Sequence, residues 1–160
     1  MLDTPCCRSG GYLLTMAEEI LYHKVFLIRG GDFENAGEVS TQIKAILTAT
    51  GIERDIIRRT SIAGFEAEMN VVIHARSGEA ELTITPVDII ITVSDEGPGI
   101  PDISLAMQEG YSTASDAMRE RGFGAGMGLP NIKRNSDVFQ IESHVGVGTT
   151  LRITIRHQKP

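Results

Sequence analysis

Two apolar periods alternate along the 160-residue chain, and their order lays out its elements. HKVFLIR from His23 to Arg29 reads as a strand, and the Gly30-Gly31-Asp32 turn behind it places Asp32 as the N-cap of a helix. Ala36, Val39, Ile43, Ile46 and Leu47 recur every three or four residues and Gly51 supplies a stop, so the spacing predicts that helix over roughly residues 33 to 50. Ile57, Phe65, Met69, Val72 and Ile73 predict a second helix from about Glu53 to Arg76, weakened locally by Gly64 and ended by Ser77-Gly78. Two antiparallel strands follow, Ala80 to Thr85 and Val87 to Asp95, joined by a tight turn at Pro86. Asp102 to Gln108 can form a short helix, and residues 110 to 128 have no apolar period and read as a long loop. A helix then starts at Gly128 with Pro130 in its first turn, and Val138 to Ser143 and Thr149 to Arg156 are strands around a Gly146-Val147-Gly148 turn.

Composition narrows what such a chain does. Fifteen Lys and Arg against 21 Asp and Glu leave a net charge of −6, which opposes binding to duplex DNA by phosphate neutralisation. No apolar run approaches a membrane span, and the two cysteines, Cys6 and Cys7, are adjacent, unsuited to a CxxC redox or zinc site. The expectation is a single cytoplasmic domain over residues 16–160, with residues 1–15 a disordered leader or a start placed ahead of Met16. Glycine stands out: 17 residues, 9 of them between Gly97 and Gly148, so that stretch needs bare backbone.

Three constellations can carry chemistry. On the second helix, Glu66, Asn70 and His74 stand four residues apart and form one polar column beside the apolar stripe. Asn70 can offer its amide oxygen to Mg²⁺, and Glu66 can accept a proton from a nucleophile. His74 reads as a packing histidine. In the strand ending at Asp95, Val87, Ile89, Ile91 and Val93 share its face, and a carboxylate at the end of a buried face needs a reason. It fits an ordinary Asp-Gly turn, or a hydrogen bond from an exocyclic amine such as adenine's, with Gly97 and Gly99 letting the backbone pass a flat ring. Glycines at 122, 124, 126 and 128 leave backbone N–H groups free to meet phosphate oxygens ahead of a helix N-terminus, without the Gly-Lys-Ser/Thr ending of a P-loop.

With Glu66…Asn70, Asp95-Glu96-Gly97-Pro98-Gly99, Gly124-Ala-Gly-Met-Gly128-Leu and Gly146-Val-Gly-Thr149 in this order, the chain resembles the GHKL ATPases from about residue 23 to 156. These include gyrase B, MutL, histidine kinases and the bacterial anti-sigma-factor serine kinases, and the FEAEMNVVIHA helix and GAGMGLPNIKR segment look most like the last. The resemblance implies the Bergerat ATP-binding fold, a two-layer α/β sandwich with a mixed, mainly antiparallel sheet and ATP beneath a glycine-rich lid. It implies that Glu66 is the catalytic base, that Asn70 holds Mg²⁺, and that Asp95 binds the adenine amino group in a pocket shaped by Gly97 and Gly99. Thr149 would support the adenine site through its hydroxyl. Gly124, Ala125, Gly126, Met127, Gly128 and Leu129 would form the part of the lid that meets the phosphates, with Arg119 and Arg121 near the γ-phosphate. The implied activity is transfer of the γ-phosphoryl of Mg-ATP to a Ser or Thr of a small partner resembling an anti-sigma-factor antagonist. A nucleotide-gated module that controls a sigma factor without phosphotransfer is the alternative, and a homodimer is a further expectation.

Overall fold

The computed structural model describes residues 19–120 and 122–157; the expected leader over residues 1–15, Met16 and Arg121 lie outside them. The strand that alternates best is the centre of the sheet: Ile89, Ile91 and Val93 are each at most 3% exposed. In chain order the elements are β1 (Tyr22–Arg29), α1 (Glu38–Ala49), α2 (Arg54–His74), β2 (Ser77–Ile84), β3 (Asp88–Glu96), α3 (Ile103–Ala106), α4 (Asp116–Glu120), α5 (Gly128–Asn135), β4 (Val138–His144) and β5 (Gly148–Arg156). The strands form one sheet in the order β1-β2-β3-β5-β4, and all four pairings are antiparallel. One face is covered by helices, which gives the two-layer α/β sandwich, and the apolar side chains of the covered face form the core.

The inward residues of β2 and β5, Ala80, Leu82 and Ile84, and Leu151, Ile153 and Ile155, complete the surface on which α2 lies. Small residues line the buried side of that helix: Thr60, Ala63 and Ala67 are fully buried, and Gly64 lies against Ile91 of the sheet. Such a stripe lets a helix axis approach a sheet closely. Thr60 stays satisfied there by donating its hydroxyl to the Ile56 carbonyl at 2.7 Å. Both α1 and α5 pack on α2, so α2 is the element to which the whole helical layer is referred.

Several boundaries differ from the sequence reading, each for a physical reason. The first helix begins at Glu38, behind Gly37 as N-cap, and not at residue 33 with Asp32 as its cap. Asp32 instead accepts from the backbone N–H and side-chain amide of Asn35, closing a separate turn. The free N–H groups of α1 are taken by Glu68 of α2, which accepts from Gly37 and Val39 through Oε1 at 2.9 and 3.1 Å and from Ser40 through Oε2 at 2.9 Å. Glu68 is 3% exposed, a buried carboxylate matched to a helix N-terminus. Glu68→Ala would leave three donors without an acceptor and is expected to cost about 3 kcal/mol, read as a lower urea midpoint, with Glu68→Gln milder. Ser77 and Gly78, expected as a helix stop, already belong to β2 and pair with Glu96 and Asp95. The expected loop over residues 110 to 128 contains the short helix α4.

Candidate functional site

The sheet and helix layers part at one end, between the C-terminal half of α2 and the ends of β3 and β5, around a cavity of about 520 Å³. Glu66, Asn70 and His74 line it from α2, Asp95 and Thr149 from the sheet, and Gly122 to Leu129 from the segment that closes over it. Residues far apart in sequence, a helical Glu-Asn pair, a strand-end Asp and a glycine-rich loop, therefore share one space.

At the sheet end, Asp95 is half-buried, and its Oδ1 accepts from the Thr149 backbone N–H at 3.2 Å. Burial pushes its carboxyl above the usual range, and the Thr149 N–H opposes that only in part. The backbones at these strand ends leave no space for side chains. A Cβ on Gly148 would sit 1.9 Å from the Asp95 carbonyl oxygen, and one on Gly99, at φ +72°, would sit 2.3 Å from the His144 carbonyl oxygen. Gly97 does not face the cavity; it packs on Ala75 and on Asp95 Oδ1 itself. The Thr149 hydroxyl bonds the Ser143 hydroxyl at 2.8 Å, and Ser143 accepts from the Ile100 N–H at 2.8 Å, so both are tied into the floor and Thr149 serves Asp95 through its backbone. Ser143 carries no sequence signal, because its role exists only once β4 pairs with β5.

At the helix end, Gly128 opens α5 directly over the Glu66–Asn70 face. A Cβ on it would lie 3.1 Å from Asn70 Oδ1 and 3.6 Å from Glu66 Oε2. Glu66 Oε1 accepts from the side-chain amide of Asn131 at 2.7 Å, a partner that the sequence reading did not single out. His74 lines the cavity too, and burial holds its imidazole below the usual histidine range. The folded protein thus resists its protonation, so stability is full above the ordinary histidine pKa of about 6.5 and declines as pH falls below it. Between pH 7.5 and 5.5 the urea midpoint of the wild type is expected to fall more than that of His74→Gln. Equal slopes would remove His74 from this role.

The lid is folded back on itself. Gly110 N–H donates to the Gly126 carbonyl at 2.9 Å, and a Cβ on Gly126, at φ +73°, would overlap the 110–111 backbone. Between these ends, Phe123 N–H bonds the Met118 carbonyl at 3.0 Å and the Arg119 guanidinium donates to the Ser112 carbonyl at 3.0 Å. Arg119 thus braces the lid from within, and Arg121 is outside the described residues. Phe123 meets Phe33 with ring centroids 5.6 Å apart. The apolar part of the lining, Met69, Ile73, Ile100, Leu105 and Leu151 among them, offers a surface for a flat ring.

An antiparallel sheet under a helix pair, with a strand-end carboxylate at one end of the cavity and a glycine-rich lid at the other, defines a nucleotide-site architecture. Residues 63–159 match the family described as histidine kinase-, DNA gyrase B- and HSP90-like ATPases, and the chain belongs to that family. It is 42% identical over 62 residues to the serine/threonine-protein kinase RsbT of Bacillus subtilis, covering 39% of this chain and 41% of that protein. It is 35% identical over 94 residues to an anti-sigma F factor of Caldanaerobacter subterraneus, covering 56% and 62%, so these matches span less than two thirds of either relative. To the anti-sigma F factor of Geobacillus stearothermophilus it is 29% identical over 125 residues, covering 74% and 82%. Among solved structures, the SiaB–SiaC complex from Pseudomonas aeruginosa contains a chain of the same fold, with a TM-score of 0.57 at 14% identity over 85% of this chain and 89% of that one. No helix among the described residues is long and apolar enough to cross a membrane.

Proposed function

We propose that the protein is a cytoplasmic serine/threonine kinase that moves the γ-phosphoryl group of ATP to a small regulatory protein of the anti-sigma-factor antagonist type. The observation that carries this reading is the gathering of Glu66 and Asn70, under Gly128, into the same cavity as Asp95. Asp95 supplies an acceptor for an exocyclic amine at the floor. Asn70 supplies one oxygen for Mg²⁺, which binds through few protein ligands and substrate phosphates and would neutralise phosphate charge there. Gly128 leaves bare backbone over Glu66 and Asn70 for phosphate oxygens, while Gly124 and Gly126 let the lid pack tightly on residues 110–114. Glu66 then takes the proton from the acceptor hydroxyl as its oxygen bonds to the γ-phosphorus and the bond to ADP breaks. The similarity to proteins named as a serine/threonine kinase and as anti-sigma factors supports the same reading. The outward residues Val25 and Leu27 of edge strand β1, 47% and 85% exposed, support a second copy docking at that edge.

The test is to hold the protein with candidate partners in Mg-ATP or Mg-ADP and measure the intact mass of each partner. A partner that gains one phosphoryl group only with ATP and wild-type Glu66 supports the kinase. A partner held according to nucleotide yet never phosphorylated makes the chain a nucleotide-gated binding module, in which the lid is the switch.

A further inference from the structure

Gly128 and Asn131 are three residues apart on α5 and therefore share one face, and that face meets Glu66 and Asn70, four residues apart on α2. At this meeting the Asn131 side-chain amide lies 2.7 Å from Glu66 Oε1. A carbonyl oxygen so close to a carboxylate would repel it, so the NH2 side of the amide faces Glu66. Its own backbone is held on both sides: Asn131 N–H donates to the Met127 carbonyl at 2.8 Å, and the Asn135 side chain donates to the Asn131 carbonyl at 2.9 Å. The donor is thus fixed to the helix and not to a mobile arm. With Oε1 occupied, Oε2 is the oxygen turned toward Gly128 and the lid, 3.6 Å from where a Cβ on Gly128 would stand.

We infer that Asn131 is a positioning residue: it clamps one oxygen of Glu66 so that the other faces the acceptor hydroxyl, and it makes the base depend on how α5 is seated at the end of the lid. This rests on the kinase reading above. Glu has three rotatable side-chain bonds and, unclamped, spreads its carboxylate over several orientations of which few face the acceptor. Because α5 starts where the lid ends, a lid that shifts Gly128 also shifts the clamp.

Two substitutions test it. Asn131→Asp keeps the shape but turns the donor into a second carboxylate, and Asn131→Leu removes the donor. Both are expected to lower kcat for transfer about 10- to 100-fold, the range of a lost hydrogen bond to a charged group, with KM for ATP within about twofold of wild type. In a Glu66→Gln background, with the residual transfer followed over long incubations, the same changes are expected to add no further loss, since Asn131 acts only through Glu66. Wild-type kcat in both variants overturns the inference and leaves the kinase intact, as does a loss that adds fully to Glu66→Gln. A wild-type protein that transfers to no partner overturns the kinase reading, and the clamp with it.

Discussion

Glu66→Gln is expected to reduce phosphoryl transfer by about 10²- to 10⁴-fold while leaving ATP affinity within a few-fold of wild type. The two effects separate because Gln has nearly the shape of Glu but cannot take a proton, while the groups proposed to hold nucleotide, Asp95 at the floor and the lid backbone above, are untouched. The Asn131 amide still finds an acceptor in the Gln carbonyl, so the α2–α5 contact survives. Quench-flow or gel-based transfer with purified partner reads the first quantity, and equilibrium binding of a fluorescent ATP analogue reads the second. Transfer at the wild-type rate would end the assignment of Glu66 as base.

Asp95→Asn is expected to act in opposite directions on binding and on stability. Its carboxylate is half-buried and burial holds its pKa up, so the ionised form is less favoured in the folded protein than in the unfolded chain. Below the ordinary carboxylate pKa both states are protonated and nothing is lost; as pH rises through the unfolded and then the folded pKa, ionisation costs stability. An Asn retains an oxygen for the Thr149 N–H and carries no charge, so the unliganded variant should melt at a higher temperature than wild type at neutral pH. Nucleotide affinity should fall about 10- to 100-fold, because a charge-assisted hydrogen bond is replaced by a weaker neutral one beside an amide that repels a donor. The same logic makes wild-type ATP affinity fall on acidification already above the usual aspartate range. Unchanged ATP affinity in Asp95→Asn, read by calorimetry, would displace Asp95 as the purine anchor. Sites that hold such a strained charge for a ligand are a common source of the trade between stability and activity.

How much of this was legible in the chain follows from how far apart the interacting residues lie. The alternation of Ile89, Ile91, Val93 and Asp95 and the column of Glu66, Asn70 and His74 are local periodicities, and the structure keeps both. The strand order β1-β2-β3-β5-β4 is set by tertiary packing and left no mark in any single segment. The start of α1 departs from its local signal because its acceptor is Glu68, supplied from another helix, while Asp32 has the local look of a cap. Helix α4 has five residues without an apolar stripe and depends on lid contacts such as Phe123 N–H to the Met118 carbonyl, which no window of sequence reveals. Asn131 and Ser143 are ordinary polar residues in their own elements and acquire meaning only against Glu66 and Thr149.

The small-residue stripe of α2 works as a ruler. Glu66 and Asn70 project from the same helix whose Gly64 lies against Ile91 of β3, while Asp95 stands near the end of that strand. The separation between Glu66 and Asp95 therefore depends on the stand-off between the two layers, and at Gly64 that stand-off leaves room for little more than a methyl group, since a Cβ there would sit 3.5 Å from Ile91 Cδ1. A chain of this architecture can retune the span of its site by placing a side chain larger than a methyl at position 64, without altering one residue that lines the cavity.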